Sequence, residues 1–269
     1  MGAREIRRPR DQAVSASAAA AIEIRVCHSL EDCEACVTME KAVWQTDDIE
    51  LVPSALIRVI AETGGQVLGA FDGSRMIGFT VALVGAQPSP SGPLAFLHSH
   101  MTAVLPEYEN RGIGRRLKFF QRQDALARGF RLVQWTFDPF QLKNAWFNMM
   151  RLGAVVRSYI PNFYGITTSP LHAGIPTDRL LVEWHLDSQR VRAAVEGRVP
   201  PPAGDDAVRI TLPNDIVRIT RSDPPAAMRI QDAMRAQFQQ HFAAGFAVTA
   251  LEPAGPETHY VLEPWKDAC

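Results

Sequence analysis

Two glycines and three arginines lie together near the middle of the chain, at a spacing that suits a phosphate group. In order, the residues are Arg111, Gly112, Ile113, Gly114, Arg115 and Arg116. Glycine has no Cβ, so the backbone can approach a ligand closely, and the N–H groups of a first helical turn carry a partial positive charge. With the arginines beside it, such a turn could bind a diphosphate.

The spacing separates this turn from two other glycine-rich phosphate-binding loops. The sequence has no Gly-x-x-x-x-Gly-Lys-Ser/Thr segment, which argues against a nucleoside triphosphatase. A dinucleotide-binding loop needs a third glycine, at the position where this chain has Leu117. For the short segment alone, the alternative is an ordinary strand-to-helix turn.

Two histidines precede the turn on the same predicted strand. One residue separates His98 from His100, so strand alternation predicts that both imidazoles share a face with Thr102 and Val104. Imidazole titrates near neutral pH and suits a base that takes a proton from an ammonium group. The pair could instead bind a metal with Asp138, but a catalytic site needs three firm ligands, so we predict no metal. Either histidine taken singly could also be a hydrogen-bonded core residue.

The elements that must position these residues alternate between strand and helix patterns. The predicted strands lie at 22–26, 66–71, 76–84, 94–105, 132–137, 154–163 and 179–186. The predicted helices lie at 29–45, at 53–63, from the glycine turn to about 129, and at 141–152. This alternation predicts the α/β (α+β) class.

Composition breaks divide the chain. The segment before residue 21 predicts a disordered tail at 1–20, and a proline-rich segment predicts a linker at 191–206. Between them we predict a catalytic domain at 21–190. Residues 207–269, with a strand at 208–212, a helix at 225–244 and strands near 246–251 and 259–262, predict a small extension. We expect this extension to pack on the main domain.

The glycine turn resembles the acyl-CoA-binding motif of the GNAT acyltransferases, Gln/Arg-x-x-Gly-x-Gly/Ala. The match covers Arg111 to Gly114, and Glu109 stands where Gln or Arg is usual. The order of predicted elements also resembles the GNAT order. The resemblance implies a central mixed, mostly antiparallel sheet flanked by helices, with acetyl-CoA or another acyl-CoA as co-substrate. It further implies that backbone near Val104 binds the pantetheine arm and polarises the thioester.

A second stretch, from Lys143 to Ala154, resembles the family's asparagine-containing helix that ends in Leu-Gly-Phe. The resemblance implies that Asn144 contacts the pantetheine, and we include Phe147 of the same helix in the cofactor site. Met149 stands where the family usually has a general-acid tyrosine. Because a thiol with a pKa of about 8.5 leaves tolerably as an anion, the loss slows the reaction without forbidding it. Tyr164 is our candidate for the vacant role, with Tyr159 as the second choice.

These features together predict an acyl-CoA-dependent N-acyltransferase. We expect acetyl transfer, with succinyl as the second donor, to the amine of a small, amino-acid-like acceptor by direct attack in a ternary complex. An acceptor carboxylate could be bound by arginines from the set Arg151, Arg157, Arg229 and Arg235, although any one of them taken singly is more simply a solvated surface charge. Two alternatives stay open: a non-catalytic acyl-CoA-binding or sensing module, and a GNAT-like acyl-CoA decarboxylase.

The composition of the chain restricts the classes of partner that we expect it to bind. The net charge of −1 argues against a general nucleic-acid or membrane-surface binder, and no apolar run reaches the roughly 18 residues that a membrane span needs. The four cysteines, Cys27, Cys33, Cys36 and Cys269, predict reduced thiols in a cytoplasmic protein. We therefore predict a small-molecule amine as the partner, with a homodimer as an open option.

Overall fold

The computed structural model describes residues 22–44, 51–90, 92–166, 174–201 and 203–265. The predicted disordered tail at 1–20 and Cys269 lie outside the described residues.

Ten strands form one sheet in the described part of the chain. They are β1 (Glu23–Val26), β2 (Gln66–Asp72), β3 (Arg75–Gln87), β4 (Leu94–Val104), β5 (Leu132–Phe137), β6 (Val155–Ile160), β7 (Arg179–His185), β8 (Val208–Pro213), β9 (Phe246–Ala254) and β10 (Glu257–Pro264). Their order across the sheet is β1-β2-β3-β4-β5-β7-β6-β9-β10-β8. The pair β4/β5 is parallel and the other neighbouring pairs are antiparallel. The predicted α/β class and its mixed, mostly antiparallel sheet are confirmed.

Helices cover this sheet. They are α1 (Leu30–Trp44), α2 (Ser54–Glu62), α3 (Ile113–Ala127), α4 (Leu142–Trp146), α5 (Gln189–Val195), α6 (Ile216–Ser222) and α7 (Pro224–Ala243). A π-helical turn, Phe147–Arg151, continues α4, so the predicted helix at 141–152 widens in its second half. The sequence analysis missed α5 and α6, and α5 lies partly inside the predicted linker at 191–206.

The helices lie on both faces of the first half of the sheet. On one face, the ring of Trp44 from α1 lies 6.1 Å from that of Phe79 on β3. On the other face, a Cβ added to Gly78 of β3 would lie 3.1 Å from Leu117 Cδ1 of α3. We call the second face the α3 face and the first the α1 face. Strand β3 is buried on both sides over most of its length, as expected for a strand with helices on both faces.

The C-terminal strands continue the same sheet. A single residue pair, Val156 with Val248, joins β6 to β9, and β10 and β8 follow outward. Helix α7 packs on β6, where the rings of Phe238 and Tyr159 stack at 5.8 Å. Since the sheet runs across the predicted boundary, the division into a domain at 21–190 and an extension at 207–269 stays a prediction.

Candidate active site

A gap separates the two parallel strands at the middle of the sheet. Strands β4 and β5, both fully described, pair only at Leu97 with Val133 and at His98 with Gln134. Strand β4 continues for six further residues, to Val104, without pairing to β5. Among the described strands, its backbone N–H and C=O groups on that side have no partner there, so they can bind an extended ligand.

The glycine turn lies where this free edge ends. Gly112 precedes the first residue of α3 and has a φ of +77°, a left-handed conformation that glycine adopts without strain. A Cβ at Gly112 would meet no atom within 4 Å, so the backbone faces open space. No side chain caps the helix there among the described residues. The first N–H groups of α3 are thus available to an anion.

The three arginines of the turn differ in what they contact. Arg111 is exposed and its guanidinium lies 5.0 Å from the Tyr108 ring. Arg115 donates to the carbonyl oxygen of Ala194 at 2.9 Å, and Arg116 donates to that of Ile22 at 2.7 Å. A diphosphate contact from Arg115 or Arg116 stays a prediction, and helix N–H groups are the anion donors that the backbone geometry provides.

Helix α4 begins beside the glycine turn. Lys143 Nζ lies 3.0 Å from Glu109 Oε2, and this exposed ion pair joins the two segments. Glu109, the departure from the acyl-CoA motif, thus faces a cation. Asn144 follows Lys143 and is exposed at the same edge of the sheet, whereas Phe147 is half-buried against the core.

The residue at the position where the resembled family usually has a general-acid tyrosine cannot donate a proton. Met149 is fully buried in the core. Tyr159, the second choice, is also buried and donates to Asp178 Oδ2 at 2.6 Å, and burial raises the pKa of this phenol. Tyr164 is 47% exposed and its ring lies 5.1 Å from the guanidinium of Arg179, at the start of β7. Tyr164 therefore lies at the sheet edge where β5 ends.

The two histidines lie at a bulge in β4. Val81 and Ala82 of β3 pair with Met101 and Ser99, which leaves His100 as an extra residue. The imidazole rings of the histidine pair, His98 and His100, have centroids 6.3 Å apart. The structure thus brings the two predicted bases together at the point where β4 and β5 separate.

The bulge corrects one expectation about faces. Thr102 pairs with Thr80, and Val104 pairs with Gly78, so both lie on the α3 face. Ser99 lies on that face too, because Lys118 of α3 donates to its hydroxyl. His98 pairs with Leu83 and therefore lies on the α1 face. Contrary to strict alternation, it does not share a face with Thr102 and Val104. One inserted residue reverses the alternation.

Both imidazoles are poised in the neutral form. Burial lowers the pKa of His98, and the charges of His100 and Lys118 lower it further. Desolvation by neighbouring protein atoms also lowers the pKa of His100, although this residue is exposed. A neutral imidazole can accept a proton, so this environment suits a general base.

The sequence analysis did not identify Lys118, a buried lysine beside the gap between β4 and β5. Lys118 of α3 is 3% exposed, donates to Ser99 Oγ at 2.9 Å and to Gln121 Oε1 at 3.0 Å, and lies 4.0 Å from the centre of the Trp135 ring. Burial lowers its pKa to about 7. The sequence carried a signal: position 118 belongs to the buried stripe of α3, next to Leu117 and one turn before Gln121.

A row of hydroxyls continues from this lysine across β3 and β4. The oxygens of Ser99 and Thr80 are 3.4 Å apart, and those of Thr80 and Thr102 are 2.6 Å apart. Thr80 is fully buried and also donates to the carbonyl oxygen of Met101 at 2.8 Å. Thr102 is half-buried, two residues before Val104.

Two of the four arginines predicted to bind an acceptor carboxylate already contact protein carboxylates. Arg157 Nη2 lies 2.7 Å from Glu183 Oε2, and Arg235 Nη2 lies 2.8 Å from Asp178 Oδ2. Arg151 and Arg229 are exposed. Arg235 therefore anchors α7 to the protein and does not extend from it toward an acceptor.

The described residues contain no group of three or more His, Cys, Asp or Glu side chains that could hold a metal ion. Asp138, the candidate third ligand, accepts from the backbone N–H of Phe140 at 2.8 Å. In the same part of the chain, no helix combines the length and apolar character that crossing a membrane requires.

Comparisons with known proteins give structural likeness only. No protein-family model matches the chain, and no curated protein matches it. An acetyltransferase of the GNAT family from Streptococcus pneumoniae aligns with 60% of this chain and 98% of its own, at 18% identity and a TM-score of 0.47. The ribosomal-protein-S18-alanine N-acetyltransferase from Escherichia coli aligns over 69% and 97%, at 14% identity and a TM-score of 0.46. Chaetomium thermophilum Naa20, in complex with a bisubstrate analogue, aligns over 68% and 93%, at 18% identity and a TM-score of 0.48.

Proposed function

We propose that the protein is a GNAT-type N-acyltransferase that transfers an acyl group from acyl-CoA to a small amine. The observation that carries the proposal is the combination of an unpaired β4 edge with a glycine turn at its end. The edge offers backbone groups to an extended amide-containing arm, and the turn offers helix N–H groups to a diphosphate. Pantetheine and diphosphate are joined in this order in CoA.

The proposed thioester lies in the gap between β4 and β5. A backbone N–H near Val104 would donate to its carbonyl oxygen, where negative charge develops as the amine attacks, and such a donor is worth about 3 kcal/mol. His98 lies on the α1 face where the gap begins, and the ring of His100 lies 6.3 Å from its ring. A neutral His98 or His100 would take the proton of the attacking ammonium group.

Acetyl is the proposed acyl group, succinyl the second choice, and an amino-acid-like amine the acceptor. Support for an acceptor carboxylate is reduced, because Arg157 and Arg235 already face carboxylates. The proposal therefore includes amines that lack a carboxyl group. It also includes a reducing, cytoplasmic location, which the free thiols of Cys27, Cys33 and Cys36 support.

A sensing module that binds acyl-CoA without turnover is the second candidate. The observation that favours it is the burial of Met149, which leaves no acid at the position where the resembled family has one. The histidine pair at the mouth of the gap favours catalysis instead.

The test is thiol release from acetyl-CoA and succinyl-CoA, followed with a thiol reagent, against a panel of L- and D-amino acids and simple amines. Amine-dependent release with one donor supports the transferase and identifies its acyl group. Calorimetric binding of CoA without release under any condition supports the sensing module. A malonyl-CoA arm that yields acetyl-CoA without an amine would identify a decarboxylase.

A further inference from the structure

We propose that Lys118 supplies the proton for the departing CoA thiolate, through the hydroxyls of Ser99, Thr80 and Thr102. This inference deepens the proposed function and rests on it. We call these three hydroxyls the hydroxyl row. It begins at a buried ammonium group and ends beside the gap.

The geometry of Lys118 is unusual for a structural lysine. Its amino group is almost fully buried, and its hydrogen-bond partners are the neutral side chains of Ser99 and Gln121. The described residues show no carboxylate in an ion pair with it, and the faces of Trp135 and Trp184 lie 4.0 and 5.9 Å away. Buried lysines are ordinarily paired, so a proton held here is readily given up.

The end of the hydroxyl row lies on the correct side of the gap. Thr102 and Val104 share the α3 face, whereas His98 lies on the α1 face. An amine that attacks from the histidine side pushes electrons toward the α3 side, where the sulfur leaves. The base and the proton source are therefore separated by the gap in which bonds form and break.

The charges around Lys118 leave its environment nearly neutral. The titratable groups of β4 at the gap are His98 and His100, and the lysine lowers the pKa of His98. The other charged groups on adjoining elements have partners of their own. On α3, Arg115 donates to the Ala194 carbonyl, Arg122 donates to the Leu186 carbonyl, and Asp124 accepts from Arg128 and Gln66. On β7, Glu183 contacts Arg157 and His185, and after β5, Asp138 accepts from the backbone N–H of Phe140.

The proton transfer balances without another reactant. The amine nitrogen bonds to the acyl carbon, the C–S bond breaks, and its electron pair goes to sulfur. Sulfur takes the proton of Thr102, and Thr102, Thr80 and Ser99 each take one from the next group, so that Lys118 ends as a neutral amine. Thr80 must turn its hydroxyl from the Met101 carbonyl toward Thr102, which lies 2.6 Å away. The histidine holds the proton from the attacking amine, and solvent restores both groups.

The experiment compares Lys118→Met and Thr102→Val with the wild-type full-length chain. Lys118→Met removes the donor, and Thr102→Val cuts the row while the lysine stays. Thr102→Ser restores a hydroxyl and serves as the rescue. Thr211→Val, on the distant strand β8, is the matched control for loss of a strand threonine. Amine-dependent thiol release is measured from pH 5.5 to 9, and CoA binding is measured by calorimetry.

We expect wild-type kcat to fall above a pH of about 7, as the Lys118 ammonium loses its proton. Lys118→Met and Thr102→Val should lower kcat at pH 6.5 by about tenfold and should lack this alkaline decline. CoA affinity should stay within about twofold of wild type in all variants, and Thr102→Ser should recover most of kcat.

An alkaline decline that persists in both Lys118→Met and Thr102→Val would overturn the relay, as would an unchanged kcat. If the wild-type protein releases no thiol with any amine, the proposed function fails and the relay fails with it. Loss of CoA binding in either variant would show a structural role for the residue and would also contradict the relay.

Discussion

At the scale of single residues, Gly112 and the histidine pair have separate tasks. Gly112 holds a left-handed conformation and leaves the first turn of α3 uncovered. His98 and His100 are neutral near pH 7 because burial and nearby positive charge oppose protonation. Gly112 thus contributes to binding of the diphosphate, and the histidine pair contributes to transfer of a proton.

Gly112→Asp should weaken CoA binding by about tenfold, because a carboxylate beside the helix N-terminus repels the diphosphate. Gly112→Asn is the matched control, because asparagine has the same shape as aspartate, tolerates a positive φ and carries no charge. Calorimetric titration with CoA compares the two. Equal affinities for Asp and Asn would contradict an anion site at this turn.

His98→Ala and His100→Ala should separate turnover from binding. We expect at least one of them to lower kcat by about a hundredfold while CoA affinity is retained. Because the folded-state pKa of each histidine is lowered, the neutral form persists below pH 6.5, and wild-type activity should extend below that pH. Full turnover in both variants would remove the histidine pair from the mechanism.

At the scale of elements, the bulge in β4 and the buried stripe of α3 determine how the site is arranged. The bulge places His98 on one face of β4 and Thr102 on the other. Helix α3 presents its N-terminus to the glycine turn and places Lys118 under the gap. Each element therefore contributes both to binding and to the proposed proton transfers.

Lys118 should make stability depend on pH in a defined direction. Its pKa is about 7 in the folded protein and higher when unfolded, so the unfolded chain binds more protons between these values and stability rises with pH. The free energy of unfolding should increase by up to about 1.4 kcal/mol from pH 7 to pH 8. Urea unfolding at these two pH values measures the change.

The matched variant for this prediction is Lys118→Met, which keeps an unbranched side chain, one atom shorter, without the charge. It should be more stable than wild type at pH 7 and should lose the increase between pH 7 and 8. The range stays below pH 8 because burial raises the pKa of Cys27 to about 12, so ionisation of this thiol in the unfolded chain opposes the increase at higher pH. An identical increase in both proteins would show that another group is responsible.

At the scale of the whole molecule, an ion pair between the partly exposed Arg235 and the buried Asp178 joins the C-terminal helix to the sheet. Asp178 precedes β7, is fully buried, and accepts from Tyr159 and Arg235. Arg235→Met should destabilise the protein by about 3 kcal/mol, since it leaves a buried carboxylate without its cation. Arg229→Met, exposed on the same helix, should change the unfolding free energy by less than about 0.5 kcal/mol.

Urea unfolding of both variants provides the measurement. Equal stability of Arg235→Met and Arg229→Met would contradict the anchoring role. A loss confined to a separate, early transition would show that the C-terminal strands unfold on their own.

Local patterns in the sequence predicted much of this architecture. Alternation and turn residues predicted the strand at 132–137 within its observed bounds, and the glycine turn was predicted from residue types. The bulge at His100 could not be predicted, because it depends on pairing with β3, which is not local. The partners of Arg157, Arg235 and Lys118 were missed for the same reason: they come from other elements of the fold.

The most direct test of the central claim is the mass spectrum of the amine after incubation with acetyl-CoA and the protein. Thiol release alone could come from hydrolysis, whereas an amine that gains one acetyl group has received it by transfer. We predict acetylated amine with wild type and, at an acetyl-CoA concentration below the dissociation constant, about tenfold less with Gly112→Asp. Free acetate and an unmodified amine, in spite of bound CoA, would contradict the account.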